Sequence, residues 1–140
     1  MESYERRVRE SFARQAMMQT LGAEMASVSR GATEIRFPVA PSLLQQHGYV
    51  HAGAVTTVLD SACGYAALTV APEGSEVLSV EFKVNLLAPA TGDSVVARAL
   101  VKRAGRKLAV CTADAFAVRP EGEKLVATML GTMIYVPLER

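Results

Sequence analysis

The chain has 140 residues, enough for one domain with a single hydrophobic core and few for two. Fifteen Lys and Arg residues stand against fourteen Asp and Glu residues, and the formal net charge is +1. Nucleic acid and anionic membranes are therefore excluded as main partners, because binding a polyanion requires concentrated positive charge.

The first residues lack the apolar stretch of a signal peptide, and no run of about 18 apolar residues follows, so we expect a cytoplasmic protein. Cys63 and Cys111 lie in apolar segments without metal-ligand spacing, which predicts reduced, buried thiols and no metal site. Half of the residues are apolar. This surplus favours burial of some surface against another subunit.

Helical spacing of apolar residues dominates residues 3–20. It predicts an amphipathic helix with Ser3 as its N-cap and an end near Gly22. The apolar residues then recur at every second position, which predicts a hairpin of two strands. The first strand ends at Ser29 and the second begins after Gly31. The residues that give the helical pattern are Val8, Phe12, Ala16, Met17 and Leu21.

A long apolar segment follows the loop at 41–50 and predicts a core helix over residues 52–71. Asp60 is its only charge. Because a carboxylate loses hydration in such a segment, it requires a partner or a task.

Four further strands are predicted at residues 76–87, 94–103, 108–119 and 125–136, joined by short turns rich in proline and glycine. The third carries small side chains at alternate positions, which would allow a helix to pack close to the sheet. The order of elements predicts an α+β domain in which a mostly antiparallel sheet has one apolar helix across its concave face.

Two parts of the central helix carry groups that could take part in a reaction. Its N-terminus, near His51, Ala52 and Gly53, has free backbone amides that favour a negative oxygen and could form an oxyanion hole. Gly48 and Gly53 would let the backbone approach a ligand. Asp60 lies nine residues after His51, roughly 14 Å along the helix. Both parts can act on one carbonyl only if two copies pack about a two-fold axis with antiparallel central helices, which gives two sites per dimer.

These residues resemble the hotdog-fold acyl-CoA thioesterases of the phenylacetate-degradation type. That family has the pattern Asn-x-x-Gly-x-x-His-Gly-Gly, then an apolar helical turn and Asp. The resemblance covers about residues 21–136 and implies the hotdog fold, an antiparallel sheet wrapped around one long helix, here with an N-terminal helix. The matching segments are His51-Ala52-Gly53, Val58-Leu59-Asp60-Ser61-Ala62, Ser79-Val80-Glu81-Phe82 and Ala88-Pro89-Ala90.

The resemblance assigns roles to individual residues. It implies that Asp60 is the nucleophile or general base and that the Ala52 amide of the partner subunit polarises the thioester carbonyl. His51 would hold the loop and the helix start. The family's Asn falls on Gln45, for which Gln46 or His47 are alternatives. Ser79 matches a hydroxyl that orients water in some relatives.

The resemblance also implies a substrate and an assembly. Arg103, Arg106 and Lys107 match a turn that holds CoA phosphates in such enzymes. The implied protein is an acyl-CoA thioesterase without cofactor, a dimer at least and usually a tetramer built from two dimers. A noncatalytic acyl-CoA-binding module and an acyl-thioester dehydratase or hydratase are the alternatives. Aromatic, medium-chain and long-chain acyl groups all stay open.

Overall fold

The computed structural model describes residues 1–138, which form one six-stranded sheet with a long helix packed on it. The chain contains, in order, α1 (Ser3–Arg14), α2 (Ala16–Leu21), β1 (Glu24–Ser29), β2 (Ala32–Pro38), a 3-10 turn (Pro41–Leu43), α3 (Ala52–Val70), β3 (Ser75–Leu86), β4 (Ser94–Ala104), β5 (Leu108–Arg119) and β6 (Gly122–Pro137). Within residues 1–138, no helix has the length and apolar character needed to cross a membrane.

The sheet has the strand order β1-β2-β4-β5-β6-β3, and every neighbouring pair is antiparallel. Hairpins join β1 to β2, β4 to β5 and β5 to β6, because the intervening turns are too short for any other connection. Helix α3 contacts all six strands. The predicted hotdog fold is confirmed.

The core lies between α3 and the sheet. Alternate residues of β5, from Ala109 to Ala117, are small and at most 2% exposed, so α3 packs close to this strand as predicted. Cys63 of α3 and Cys111 of β5 are free and buried, in agreement with their predicted role as core residues. Burial raises the pKa of the Cys63 thiol and raises that of Cys111 to about 11, so neither is a ready nucleophile.

The N-terminal helix differs from the prediction in two respects. Glu2 occupies the N-cap position and Ser3 is already helical, so Ser3 is not the cap. Gln15 has extended backbone angles (φ −83°, ψ 105°) and divides the predicted helix into α1 and α2. This break resets the helical phase, and as a result Met18 is buried while Met17 is 52% exposed.

Arg7 connects α1 to the end of α3. Its guanidinium donates hydrogen bonds to the carbonyl oxygens of Leu68 (2.5 Å), Ala71 (3.0 Å) and Pro72 (3.2 Å). A cation that binds the last carbonyls of a helix also complements the helix dipole. Helix α1 thereby fixes the C-terminal end of the central helix.

Strand β3 forms one edge of the sheet, and much of its apolar surface is uncovered. The pairing with β6 shifts between Ser79 and Glu81, so Val80 is an extra residue in the strand and interrupts the alternation that the sequence indicates. Leu78, Val80, Phe82 and Leu86 are between 42% and 58% exposed. The core of one subunit therefore does not account for the hydrophobicity of this strand.

Candidate active site

Asp60 lies in the middle of α3 and has a hydroxyl partner on β3. Ser79 Oγ donates a hydrogen bond of 2.6 Å to Asp60 Oδ1, and Ser79 Oγ also lies 3.4 Å from the sulfur of Met133. Asp60 itself is partly exposed, although the flanking Leu59 and Ala62 are fully buried. The sequence thus overestimated the burial of this carboxylate. The helix turns Asp60 toward an opening beside β3, where Ser79 holds one of its carboxylate oxygens.

The start of α3 is held by His51. Its side chain acts as the N-cap, with Nδ1 accepting a 2.7 Å hydrogen bond from the Gly53 amide. An accepting Nδ1 has no proton, so the neutral ring carries its proton on Nε2. The backbone carbonyl of His51 accepts from Ala54 and Val55. His51 thus fixes the start of α3 through its ring and its carbonyl group, and its family role stays a prediction.

The Ala52 amide is the free donor at this helix start. No acceptor for its N–H lies among the hydrogen bonds of residues 1–138, because His51 Nδ1 takes the amide of Gly53 instead. Ala52 lines a cleft of about 520 Å³, which we call the helix-start cleft. Most of its wall is apolar, and five of its twelve lining residues come from the end of β3 and the following loop, residues 86–90. An N–H in these surroundings is suited to binding an anionic oxygen.

Gln45 lies at the edge of the helix-start cleft but uses its side-chain carbonyl locally. Gln45 Oε1 accepts hydrogen bonds from the backbone amides of His47 (2.5 Å) and Tyr49 (3.3 Å), which closes the loop before α3. Gln46 and His47 are exposed and do not line the cleft. Of the three candidates for the position of the family's Asn, only Gln45 lines the same cleft as Ala52.

Local structure explains why glycine occurs at positions 48 and 53. Gly48 has a φ of +85°, so its turn requires glycine. A Cβ on Gly53 would lie 2.9 Å from His51 Nδ1, so glycine makes room for the capping imidazole. Neither residue lines the helix-start cleft. The structure thus explains both glycines without a bound ligand.

Arg103, Arg106 and Lys107 lie at the turn between β4 and β5, and all three are exposed. None of them forms an ion pair in the part of the chain that the structure describes. Within one subunit, they line neither the helix-start cleft nor the opening beside Asp60. They form a separate cationic turn.

Asp60 lines a second cavity, of about 370 Å³, which we call the Asp60 cavity. It shares no residue with the helix-start cleft. Five further polar or charged side chains that the sequence did not indicate as site residues line it: Ser11, Gln15, Ser61, Tyr65 and Glu76. Ser61 and Tyr65 are one turn apart on a mostly apolar helix, a spacing that could have indicated them. No group of three His, Cys, Asp or Glu side chains within residues 1–138 is arranged to bind a metal ion.

Comparison with known proteins identifies the family. The sequence profile of the thioesterase superfamily matches residues 47–123, more than half of the chain, and this region contains the start of α3, Asp60 and Ser79. The chain belongs to the thioesterase superfamily. The family resemblance drawn from the sequence motifs is therefore confirmed.

Individual relatives extend this result. A thioesterase family protein from Silicibacter pomeroyi is 48% identical, with a TM-score of 0.95 over 97% of this chain and 100% of that one. A protein of Halobacterium salinarum, provisionally named an esterase, is 30% identical over 99 residues, or 67% of this chain and 65% of that protein, so the match spans slightly less than two thirds of this relative. The Escherichia coli PaaI protein of the phenylacetic acid degradation operon, at 22% identity, shares the fold with a TM-score of 0.84 over 95% of this chain and 93% of its own.

Proposed function

We propose that this member of the thioesterase superfamily hydrolyses an acyl-CoA thioester to the free acid and CoA. One observation carries the proposal: the same helix bears a free N-terminal amide at Ala52 in an apolar cleft and a carboxylate at Asp60 held by a hydroxyl. Thioester hydrolysis requires a donor for the carbonyl oxygen and a base or nucleophile beside the carbonyl carbon. The two features supply these two requirements.

In one subunit, Ala52 and Asp60 belong to two different active sites, and each supplies half of its site. Ala52 and Asp60 are eight residues apart on α3, about 12 Å along the helix, and line separate cavities. A single thioester carbonyl cannot touch both of them in one subunit. A complete site therefore requires the helix start of one subunit and the carboxylate of another.

The exposed edge of β3 supports a second copy of the chain as the partner. An uncovered apolar edge strand of 12 residues is a template for strand pairing. The opposite edge of the sheet, β1, has only six residues, and most of them are polar or exposed. Pairing β3 with its copy about a two-fold axis would join the two sheets and cover these apolar side chains.

Antiparallel pairing of β3 would also bring the correct cavities together. The helix-start cleft is lined by Leu86 and Leu87, at and just after the C-terminal end of β3, whereas the Asp60 cavity is lined by residues 76–79 near its N-terminal end. In an antiparallel pair, the C-terminal end of one strand lies beside the N-terminal end of the other. Each helix-start cleft would thus meet the partner's Asp60 cavity, which gives two equivalent sites per dimer.

In the proposed reaction, the thioester carbonyl oxygen accepts a hydrogen bond from the Ala52 amide. The carboxylate of Asp60 either attacks the carbonyl carbon or removes a proton from a water molecule that attacks it. Negative charge then develops on the carbonyl oxygen beside the Ala52 N–H, and CoA leaves as the thiolate. In the nucleophilic route, water then hydrolyses the acyl–Asp60 anhydride, which releases the free acid and restores the carboxylate. Ser79 holds Asp60 Oδ1, so Oδ2 is the oxygen free to react.

The cationic turn is the proposed contact for CoA phosphates. Arg103, Arg106 and Lys107 carry three exposed positive charges within five residues and have no carboxylate partner in the described region. Arginine binds phosphate through paired hydrogen bonds, and lysine adds charge. Because these residues lie outside both cavities, they would contact the nucleotide end of CoA and not the thioester.

Ser79→Ala tests the role of the hydroxyl. We expect kcat to fall about ten- to a hundredfold with little change in KM, because a hydrogen bond to a charged group is lost. Ser79→Thr, which keeps a hydroxyl, is the matched control and should retain more activity than the alanine variant. Steady-state kinetics on one acyl-CoA would measure both. Equal kcat values for the alanine variant and the wild type would contradict this role.

Release of free CoA tests the proposed function directly. The purified protein is mixed with a panel of aryl-, medium-chain and long-chain acyl-CoA esters, and the liberated thiol is measured with a chromogenic reagent. We expect turnover with at least one class of ester. One observation favours a competing function, a noncatalytic acyl-CoA-binding module. Gln45 occupies the position of the family's Asn, but its side-chain carbonyl is used within the loop. Tight binding of the esters without thiol release would support that function and contradict hydrolysis.

A further inference from the structure

The Asp60 cavity extends along α3 away from the helix start. Asp60, Gly64 and Leu68 follow one another at intervals of one turn and line it. A Cβ added to Gly64 would meet nothing within 4 Å, so the space next to Asp60 is open at that position. A group attached to a carbonyl at Asp60 can occupy this space, which makes the cavity the compartment for the acyl group.

Gln15 crosses from the N-terminal segment to the wall of this compartment. It is the non-helical residue between α1 and α2. Its side chain accepts a 3.0 Å hydrogen bond from Ser61 Oγ and donates one of 3.0 Å to the Tyr65 hydroxyl. The irregular backbone at Gln15 thus has a local consequence: its amide group binds two polar residues of α3.

Tyr65 and Ser11 complete a chain of four polar groups. Their hydroxyl oxygens are 3.3 Å apart, and either one can donate to the other. Tyr65 is only 6% exposed, and its ring packs edge-on against Phe12 with centroids 5.8 Å apart. The hydroxyl is therefore held against the protein in a wall that contains other polar side chains, and not in bulk solvent.

The hydroxyl and amide protons of this cluster determine which atoms it can bind. Ser11 and Tyr65 have one hydroxyl proton each but share a single hydrogen bond, so one proton has no protein acceptor in residues 1–138. Gln15 Nε2 has two protons and one of them is donated, to Tyr65. The Ser61 proton is used on Gln15 Oε1. The cluster therefore has donors to spare, and its complement is an acceptor oxygen.

We propose that the Ser11–Gln15–Tyr65 cluster selects acyl groups that carry an oxygen acceptor, a hydroxyl or keto oxygen, at a distance from the thioester. This inference rests on the proposed thioesterase function and specifies its substrate class. An acyl group that ends in a methyl would cover these donors without satisfying them. A site with polar groups that bind a substrate oxygen discriminates strongly against the analogue that lacks it.

Two pairs of substrates, matched in size, test the selection. The first pair is 6-hydroxyhexanoyl-CoA and heptanoyl-CoA, and the second is 4-hydroxyphenylacetyl-CoA and 4-methylphenylacetyl-CoA. Within each pair a hydroxyl replaces a methyl group and little else changes. We expect the wild-type protein to favour the hydroxyl member of at least one pair by about tenfold or more in kcat/KM.

Variants locate the preference in the cluster. Gln15→Leu, Tyr65→Phe and Ser11→Ala each remove a polar group, and we expect each to reduce the preference toward unity. Gln19→Leu is the matched control, because Gln19 is exposed on α2 and its side chain bonds to the Ala13 carbonyl and not to the cluster, so this variant should keep the wild-type preference. The ratio of the two kcat/KM values, measured on one protein preparation, does not depend on the fraction of the protein that is folded.

The possible outcomes separate the two proposals. Hydrolysis without a preference in either pair would overturn the selection, and so would a preference that persists in all three cluster variants. Failure to hydrolyse any acyl-CoA would instead overturn the proposed function. A preference that is lost in the cluster variants and kept in Gln19→Leu would support the inference.

Discussion

Asp60→Asn is expected to reduce kcat for acyl-CoA hydrolysis by at least about a thousandfold. Asparagine has nearly the same shape and can still accept the Ser79 hydrogen bond through its side-chain oxygen. It has no negative charge, so it can neither attack a carbonyl nor remove a proton from water. The folded structure and the affinity for CoA esters should change little.

Asp114→Asn is a matched control for this substitution. Asp114 Oδ1 accepts a 2.7 Å hydrogen bond from Thr128 Oγ1, much as Asp60 accepts from Ser79, but Asp114 lines neither of the two proposed half-sites. It should hydrolyse acyl-CoA at the wild-type rate. Thiol-release kinetics, with circular dichroism and size-exclusion chromatography of each variant, would measure the difference. Near-normal turnover by Asp60→Asn would refute the role of Asp60.

Ala52→Pro removes the proposed oxyanion donor and little else. Ala52 is the first residue of α3, a position that proline favours, and His51 has the extended angles (φ −58°, ψ 136°) that a residue before proline requires. The helix should therefore form without the Ala52 N–H. We expect kcat to fall about a hundred- to a thousandfold, as when one oxyanion donor is lost. Ala52→Gly, which keeps the N–H, is the control.

Mixing the two inactive variants tests whether two subunits build each site. In a dimer of one Asp60→Asn and one Ala52→Pro subunit, one site has both defects and the other has an intact Asp60 and an intact Ala52. Random assortment makes half of the dimers mixed, so activity should recover to about a quarter of the wild-type value. Co-expression with two different affinity tags would isolate the mixed dimers. No recovery in the isolated mixed dimers would argue against a shared site.

Local pattern was sufficient to predict most elements of the fold. The predicted helix at residues 52–71 is observed as α3, Ala52–Val70, and the third predicted strand after it coincides with β5, Leu108–Arg119. The helix is a long apolar run and the strand has a clear period of two; both are bounded by loop residues, and such segments fold as their local pattern indicates. The alternation of small residues in β5 also predicted the face that α3 covers.

The prediction was less accurate where an element responds to distant residues. The periodicity of residues 3–20 indicates one helix, but Gln15 leaves the helix, and its side chain binds Ser61 and Tyr65, about 50 positions later in the chain. The alternation of β3 indicates one buried face, but Val80 is an extra residue at the sheet edge. Periodicity reveals neither the break at Gln15 nor the extra residue Val80, because both depend on residues far away in the chain.

The sequence by itself determined the element types, the core helix with one charge, and the spacing that separates Ala52 from Asp60 along that helix. These follow from residue periodicity and helix geometry, which are local properties. Only the tertiary structure decided that Ser79 holds Asp60, that the Ala52 amide has no acceptor within its own subunit, and that an apolar strand edge is uncovered. Each of these depends on how distant segments pack, and packing brings together residues whose separation in the chain gives no indication of contact.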